Sequence, residues 1–458
     1  MTIEKYEQIL KTLGKLTDGT KFYGHVYSVG GCERSRILGL PIKDLDLVVD
    51  IPNGGIDLAT WLHDNGHTCG GIVVYEKFGT AMFRLKDFPD EEIEVVHTRK
   101  ECYRDDTSRK PETTFGTIME DCKRRDFTMN AIYRSVATGQ VFDLTEMGMS
   151  DIENKLIRSC DSPNIIFKED PLRQFRAVRF CCQLGFDIEY LTLKGIQNNA
   201  KRIEIVSKER IKSEFDKILE SNHPLIGLDL LNDNHLIMFG IPNLQQILNN
   251  NQVLPFIRDC VKAMENDPLT RKDRVLRKNI LLAAMSMFQK QLKVKPFMDD
   301  LKYSNNEKDI VMDMVRAFYE YKEYVDNGHD MSKLRKMQLN LKLISYDEAL
   351  SVVSSLGLIV TNKEQKNRDM VNYKLPINGD DIMRVTGLKP CKDVGVYIDN
   401  LTNLVLHAPN LTKEEMLEIV SSEHRQRIRN GRYGKLPEIL DKLGFSELSI
   451  KTIRQKQN

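Results

Sequence analysis

The spacing of apolar residues changes character near residue 150, and that change limits the possible folds more than any other feature of the sequence. From Tyr23 to Val96 they come in short β-branched runs, HVYSVGG, DLDLVVD, GGIVVYEKFGTAMFRL and EEIEVVH, parted by Gly, Pro, Asn and Asp. Such runs are strands of a sheet. From about Ser150 a 3.6-residue period takes over, as in KERIKSEFDKILE, where Ile211, Phe215, Ile218 and Leu219 share one helical face. The expected fold class is α+β, a sheet-bearing head followed by an all-α remainder. Boundaries are expected near 150, 225 and 330, the last at the turn-like DNGHD.

At 458 residues the chain exceeds the usual size of one hydrophobic core, so several domains are expected. Apolar residues at 41% and charged residues at 29% describe a globular protein and exclude a disordered one. Lys plus Arg number 67 against 66 Asp plus Glu, so any basic surface must be local. The nine cysteines form no C-x-x-C pair, which argues against a disulfide framework or zinc cluster and for reduced intracellular thiols. The opening MTIEKYEQILKTLGKL reads as a charged amphipathic helix rather than a signal peptide, and no stretch approaches ~18 apolar residues. A cytoplasmic protein without a membrane segment is expected.

The strand DLDLVVD contains the chemistry. Alternation along a strand sends Asp44 and Asp46 to one face and Leu45 and Leu47 to the other. Two like charges side by side call for a cation, and Mg²⁺ takes one or two protein carboxylates and completes its octahedron with water and phosphate oxygens. Glu94 interrupts the strand EEIEVVH in the same manner and could add a third carboxylate. Gly30 and Gly31 end the preceding strand, letting backbone N–H groups approach phosphate oxygens at the start of the helix ERSRIL. Taken alone, a D-x-D is more often a solvated strand edge, so the assignment needs the motifs that follow.

In RRDFTMNA, Asp126 and Asn130 are spaced i,i+4 and can share a helix face, with Phe127 and Ala131 turned inward. In EDPLR, Asp170 and Arg173 stand i,i+3 and can present a joined acceptor and donor set resembling half a base pair. Asp170 before Pro171 is equally a helix N-cap. Arg173, Arg176 and Arg179 recur every third residue, a basic stripe suited to tracking phosphates or simply to solvent. Ser207 is followed by Arg210 where a capping box has an acid.

Taken together, GG…R…LGLPIKDLDL, MEDCKRRDFTMNAI and EDPLRQFRAVRF resemble the class II tRNA nucleotidyltransferases, the CCA-adding enzymes, whose relatives include bacterial poly(A) polymerases. LPINGDDIMRVTGLKPCKDVGVYIDNLTNLVL at 375–406 is similar to the tail of bacterial CCA-adding enzymes that lack a metal-dependent phosphohydrolase domain, and the lone GHD at 328–330 has no partners for such a site. The resemblance implies a polymerase β-like nucleotidyltransferase head with a small mixed sheet over 1–150, a nucleobase-recognising neck over 151–225, a helical body over 226–330 and a tRNA-binding tail over 331–458. It implies metal binding by Asp44 and Asp46, with Glu94 as third catalytic carboxylate and Mg²⁺ as cofactor. Gly30, Gly31 and Arg34 would lie near the triphosphate, and Arg125, Asp126 and Asn130 at ribose and phosphates. Asp170 and Arg173 would read cytosine or adenine, while Ser207, Glu209, Arg210 and Glu214 would steady that helix. The implied partners are the acceptor end of tRNA, CTP and ATP.

The residues after the glycines depart from the family pattern. Where it runs small residue, Val, Arg, Asp, Leu, this chain has Cys32, Glu33, Arg34, Ser35 and Arg36. The metal ligands and both later motifs are intact, so catalysis is expected to persist, with nucleotide affinity or 3′-end handling open to difference. Poly(A) addition, partial CC or A addition, and RNA binding by a decayed head are the alternative readings. The retained segment Arg99 to Asp121 weighs against CC-only addition. Basic stretches available for RNA are RKDRVLRK at 271–278, KQLKVK at 290–295 and EHRQRIRNGRYGK at 423–435, the last with Tyr433 able to stack.

Overall fold

The computed structural model describes residues 1–102, 112–293 and 295–430. Part of the connecting segment after Arg99 therefore lies outside the described residues, as do Val294 and the end of the last basic stretch with Tyr433.

The chain divides into two compact units, Met1–Asn251 with Leu292–Tyr303, and Gln252–Gln291 with the chain from Ser304 onward. In the first, helix α1 (Ile3–Thr17) leads to β1 (Val26–Val29), α2 (Gly31–Ile37), β2 (Leu45–Val49), α3 (Gly54–Asp64), β3 (Val73–Tyr75), β4 (Thr80–Leu85) and β5 (Phe88–His97). The hairpin β6 (Arg99–Cys102) and β7 (Glu112–Phe115) stands apart as its own two-stranded sheet. Next come α4 (Ile118–Lys123), β8 (Ile132–Ser135), β9 (Val141–Asp143), α5 (Gly148–Glu153), α6 (Pro163–Glu169), α7 (Arg173–Leu184), α8 (Tyr190–Asn199) and α9 (Lys208–Leu219). Seven strands form one mixed sheet in the order β3-β4-β5-β2-β1-β8-β9, in which β2 and β5 run parallel and the other neighbours antiparallel. The expected α+β class and mixed sheet are thus present.

Strand alternation gives the sheet two different faces. Leu45, Leu47 and Val49 of β2 and Ile93 and Val95 of β5 pack with Tyr6, Ile9, Leu10 and Leu13 of α1 and Leu58, Ala59 and Leu62 of α3. That is the main core of the head. Val29, Val48, Ala131 and Tyr133 form a smaller cluster with Cys122, with Val96 packed against it. Asp46 and Glu94 share strand parity with Val48 and Val96, so both belong to the face away from α1 and α3.

Three local readings change. Helix α3 stands where only turns were expected between β2 and β3, because Gly54 and Gly55 weaken its helical pattern. The strands β8 and β9 were not anticipated, being only four and three residues long. RRDFTMNA is not an α-helix: Thr128–Asn130 form a single 3-10 turn. The amphipathic helix KERIKSEFDKIL does form, with Ile211, Phe215, Ile218 and Leu219 fully buried. GHD is indeed a helix boundary, Asp330 capping Met331–Asn340.

The second unit is helical, with helices including Asn305–Asp326, Tyr346–Ser355, Gly379–Thr386 and Lys392–His407. Ile382, Tyr397, Leu401, Val405, Met416 and Val420 form one of its cores. The expected segment 226–330 is shared between the two units. The described cysteines are free, and among the described residues no helix is long and apolar enough to cross a membrane.

Helix α3 depends on the missing side chain of Gly55, where an added Cβ would sit 2.8 Å from Val96 Cα and 2.9 Å from the Val95 carbonyl oxygen. Gly55→Ala is expected to destabilise the protein by about 1–3 kcal/mol, measured by urea unfolding. Wild-type stability in the variant would show that α3 does not press on β5 as described.

Candidate active site

The turn from β1 into α2 has the conformation that its sequence requires. Gly30 holds φ at +92° and ψ at −140°, a region open essentially to glycine alone. A side chain here would also intrude on the site: a Cβ would lie 3.4 Å from Asp46 Oδ2 and 3.9 Å from Arg125 Nη1. Gly31 then opens α2, with Arg34 one turn on.

Asp46 and Glu94 are register partners across the parallel pair β2 and β5, so their carboxylates project from neighbouring positions on one face. Asp44 lies just before β2 and is exposed, as is Glu94, whereas Asp46 is partly buried. Burial pushes the Asp46 carboxyl up to about 6, and the charges of Glu94 and Asp44 push the same way against the pull of Arg125. Among the described residues no His, Cys, Asp or Glu group is closed tightly enough to enclose a metal by itself. The donor set nevertheless fits a hard divalent cation that keeps water and substrate oxygens as ligands, because such an ion would offset the burial, and the neighbouring charges, that raise Asp46.

Arg125 is anchored from behind. Its Nε and Nη2 donate to Asp121 Oδ2 at 3.1 and 2.9 Å, and its Nε to the Tyr133 hydroxyl at 2.9 Å. Asp121 is fully buried and also accepts from Arg124 Nη2 at 2.6 Å and from the Tyr133 hydroxyl at 2.7 Å. Against the effect of burial, Arg125 and Arg124 hold its carboxyl far below the usual range. Sequence reasoning passed over Asp121 and Tyr133. The spacing of Asp121 to Arg124 and Arg125, i,i+3 and i,i+4, was the available signal.

A second group gathers around Phe180, also not anticipated. The guanidinium carbons of Arg34, Arg176 and Arg179 lie 4.8, 5.5 and 4.3 Å from its ring centre. Arg34 Nη1 donates to Asn130 Oδ1, Asn130 Nδ2 to Asp126 Oδ1 at 3.0 Å, and Arg176 Nε to Asp126 Oδ2 at 2.9 Å. Asp126 and Asn130 therefore do meet, although through a 3-10 turn rather than a helix face. Arg179 pairs with Glu214 at 2.9 Å. Burial, with repulsion from Arg179 and Arg176, brings Arg34 down to about 10 despite the nearby Asp126. Three guanidiniums against two carboxylates leave a surplus positive charge, suited to an anion.

Asp170 and Arg173 do not share a helix. Asp170 closes α6, in the break before α7, and its Oδ1 accepts from the Leu172 backbone at 3.2 Å; α7 begins at Arg173 with Leu172 as its N-cap, so Asp170 and Pro171 are not the N-cap and first-turn pair of the alternative reading either. Its Oδ2 accepts from Arg210 Nη2 at 2.8 Å. Arg173 is buried and donates to the Ile166 carbonyl, Glu169 and the Arg124 carbonyl at 3.2, 3.1 and 2.6 Å. The two side chains are thus held by separate partners rather than joined in one plane. Nor are Arg173, Arg176 and Arg179 an open stripe, since each is paired to a carboxylate, of Glu169, Asp126 and Glu214. Ser207 Oγ accepts from Arg210 N at 3.5 Å, the imperfect cap expected.

The head thus combines a mixed sheet, adjacent strand carboxylates, a glycine turn and an arginine-lined wall, and is continued by helices. Residues 26–158 match the family described as Poly A polymerase head domain, and 185–248 that described as probable RNA and SrmB-binding site of polymerase A. The chain is 34% identical over 233 residues to the CCA-adding enzyme of Lactiplantibacillus plantarum, an alignment covering 50% of this chain and 54% of that protein, about half its length. It is 29% identical over 387 residues to the CCA-adding enzyme of Limosilactobacillus fermentum, covering 83% and 88%. In fold it is similar to the Bacillus stearothermophilus CCA-adding enzyme in complex with CTP, with a TM-score of 0.69 at 23% identity over 92% of this chain and 98% of that one. The Thermotoga maritima CCA-adding enzyme complexed with tRNA gives 0.62 at 22% identity over 91% and 95%. Over its head the chain is thus similar to poly(A) polymerase head domains, and over most of its length to CCA-adding enzymes.

The raised Asp46 carboxyl fixes the sign of a pH effect. Raised from 3.8 to about 6, it favours the folded state at low pH, and that contribution is lost as pH rises through about 6. Without metal at about pH 8, Asp46→Asn is therefore expected to stabilise the protein by on the order of 1 kcal/mol, a gain that vanishes near pH 4. Urea unfolding in a chelator at both pH values checks this, and a destabilised variant at the higher pH would contradict it.

Proposed function

We propose that this protein adds or repairs the 3′-terminal CCA of tRNA, taking CTP and ATP without a nucleic-acid template, in the cytoplasm. The observation that carries the reaction type is the register pairing of Asp46 with Glu94 beside the Gly30 turn. The choice of tRNA 3′ ends follows the relatives, which are CCA-adding enzymes over most of their length in the Limosilactobacillus fermentum alignment.

In this reading Asp44, Asp46 and Glu94 hold Mg²⁺, which when bound would activate the ribose 3′-hydroxyl and offset charge on the departing pyrophosphate. The chain's own residues do the rest. The N–H groups at Gly30 and Gly31 face the triphosphate, and Arg125, held rigid by Asp121 and Tyr133, adds positive charge next to Asp46. Arg34, Arg176 and Arg179 draw the nucleotide in by their surplus charge, while Asp126 and Asn130 are placed to meet the ribose. Asp170 and Arg173 read the base edge; for Asp170 this requires Arg210 to release its carboxylate. A base that leaves such groups unpaired loses about 1–3 kcal/mol per group. The basic stretch at 271–278, with those beginning at 290 and 423, supplies contacts to the RNA backbone.

Poly(A) addition is the second reading, favoured by the head-domain match alone. Incubation with a tRNA lacking CCA and each of CTP, ATP, UTP and GTP, followed by sequencing of 3′ ends, is expected to show C, C and A added in order and then to stop. Long A tails would instead mark a poly(A) polymerase. Asp44→Ala with Asp46→Ala is expected to lower incorporation by at least about a thousandfold, and unchanged incorporation would overturn the catalytic reading.

A further inference from the structure

Behind the glycine turn, on the α1 face of the sheet, lies a polar cluster that the transfer chemistry leaves unused. Glu33 is fully buried. Its Oε1 accepts from the Tyr6 hydroxyl of α1 and, at 3.1 Å, from Ser28 Oγ of β1, while its Oε2 accepts from Arg36 Nε at 2.8 Å. The Tyr6 and Ser28 hydroxyls also meet, at 2.5 Å. One carboxylate therefore ties α1, β1 and α2 together. A second pair stands close by, Arg134 of β8 donating to both oxygens of Glu7 on α1 at 2.6 and 2.7 Å. The charge of Glu33 reaches Arg134, and that of Arg36 reaches Glu7.

A carboxylate in such a place costs desolvation that an apolar residue would not, so it is retained at the expense of stability unless its bonds serve another end. Its position suggests the end. Ser28 and Glu33 bracket the segment Val29–Cys32, and their bond closes a small loop around Gly30 and Gly31. Glycine supplies the conformation there but no side chain to fix it. Glu33 and Arg36 are also two of the three departures from the family pattern, and they are paired with each other.

We propose that Tyr6, Ser28, Glu33 and Arg36 form a positioning unit that sets the Gly30–Gly31 turn against Asp46 and so determines the affinity for the nucleoside triphosphate. Glu33 is its central positioning residue and touches no substrate. The inference rests on the nucleotide site proposed above.

The test uses the full chain with Glu33→Gln, Tyr6→Phe and the double variant, measuring the calorimetric Kd for CTP with Mg²⁺, KM for CTP and for tRNA, kcat, and the melting temperature. Each single variant is expected to raise Kd and KM for CTP about tenfold, with kcat and the tRNA KM changed less than about threefold. The double variant should be no worse than the weaker-binding single one, because both break the same unit. Should Glu33→Gln fail to fold, Tyr6→Phe, which removes only a hydroxyl, carries the test. An unchanged CTP affinity, or CTP and tRNA affinities falling together with melting temperature, would overturn the inference. A wild-type chain that binds CTP but adds nothing to tRNA would contradict the proposed function alone; one that does not bind CTP would overturn both.

Discussion

Two carboxylates placed side by side on parallel strands repel, and the rest of the head is arranged around that repulsion. The pairing of β2 with β5 sets Asp46 against Glu94, and Asp44 adds a third acid at the strand's edge. Arg125 answers Asp46 with opposite charge, but it is already committed to Asp121 and Tyr133. The site is thus left short of positive charge where it faces solvent. A divalent cation brought from outside would offset that deficit, with substrate oxygens completing its shell.

The sheet divides the work between its faces. On one, Leu45, Leu47, Ile93 and Val95 secure the strands against α1 and α3, so that the positions between them are free to be acidic. On the other, successive sequence motifs are bound to one another through backbone and side chain. Arg173 donates to the Arg124 carbonyl, Arg176 to Asp126, and Arg210 and Glu214 of α9 reach Asp170 and Arg179. The arginine-rich helix α7 is therefore tied both to the head and to α9, and the Asp170 carboxylate before it is held by Arg210.

Much of this was legible in the sequence, and the misses have physical causes. Short β-branched runs foretold β1, β2, β4 and β5, and alternation foretold that Asp46 and Glu94 interrupt apolar strands, because both depend only on neighbours along the chain. That the two acids are register partners depends on a parallel crossover through α3, which the glycines at its start concealed. The i,i+4 spacing of Asp126 and Asn130 did bring them together, yet a 3-10 turn achieved it. Arg173, Arg176 and Arg179 read as a surface stripe because their counter-charges, Glu169, Asp126 and Glu214, come from three other elements. Phe180 and Tyr133 gave no local sign of their roles, since an aromatic among apolar residues looks like core. Glu33 stood out as an intrusion, and only tertiary structure reveals Tyr6 and Ser28 as its partners.

The most direct test of the account is the position of the metal. Crystals grown with CTP and Mn²⁺ in place of Mg²⁺ can be measured at the manganese absorption edge, where anomalous scattering marks the ion independently of the refined coordinates. The account predicts manganese within coordination distance of Asp44, Asp46 and Glu94, with triphosphate oxygens beside Gly30 and Gly31. Manganese on the nucleotide but away from that carboxylate face would contradict it.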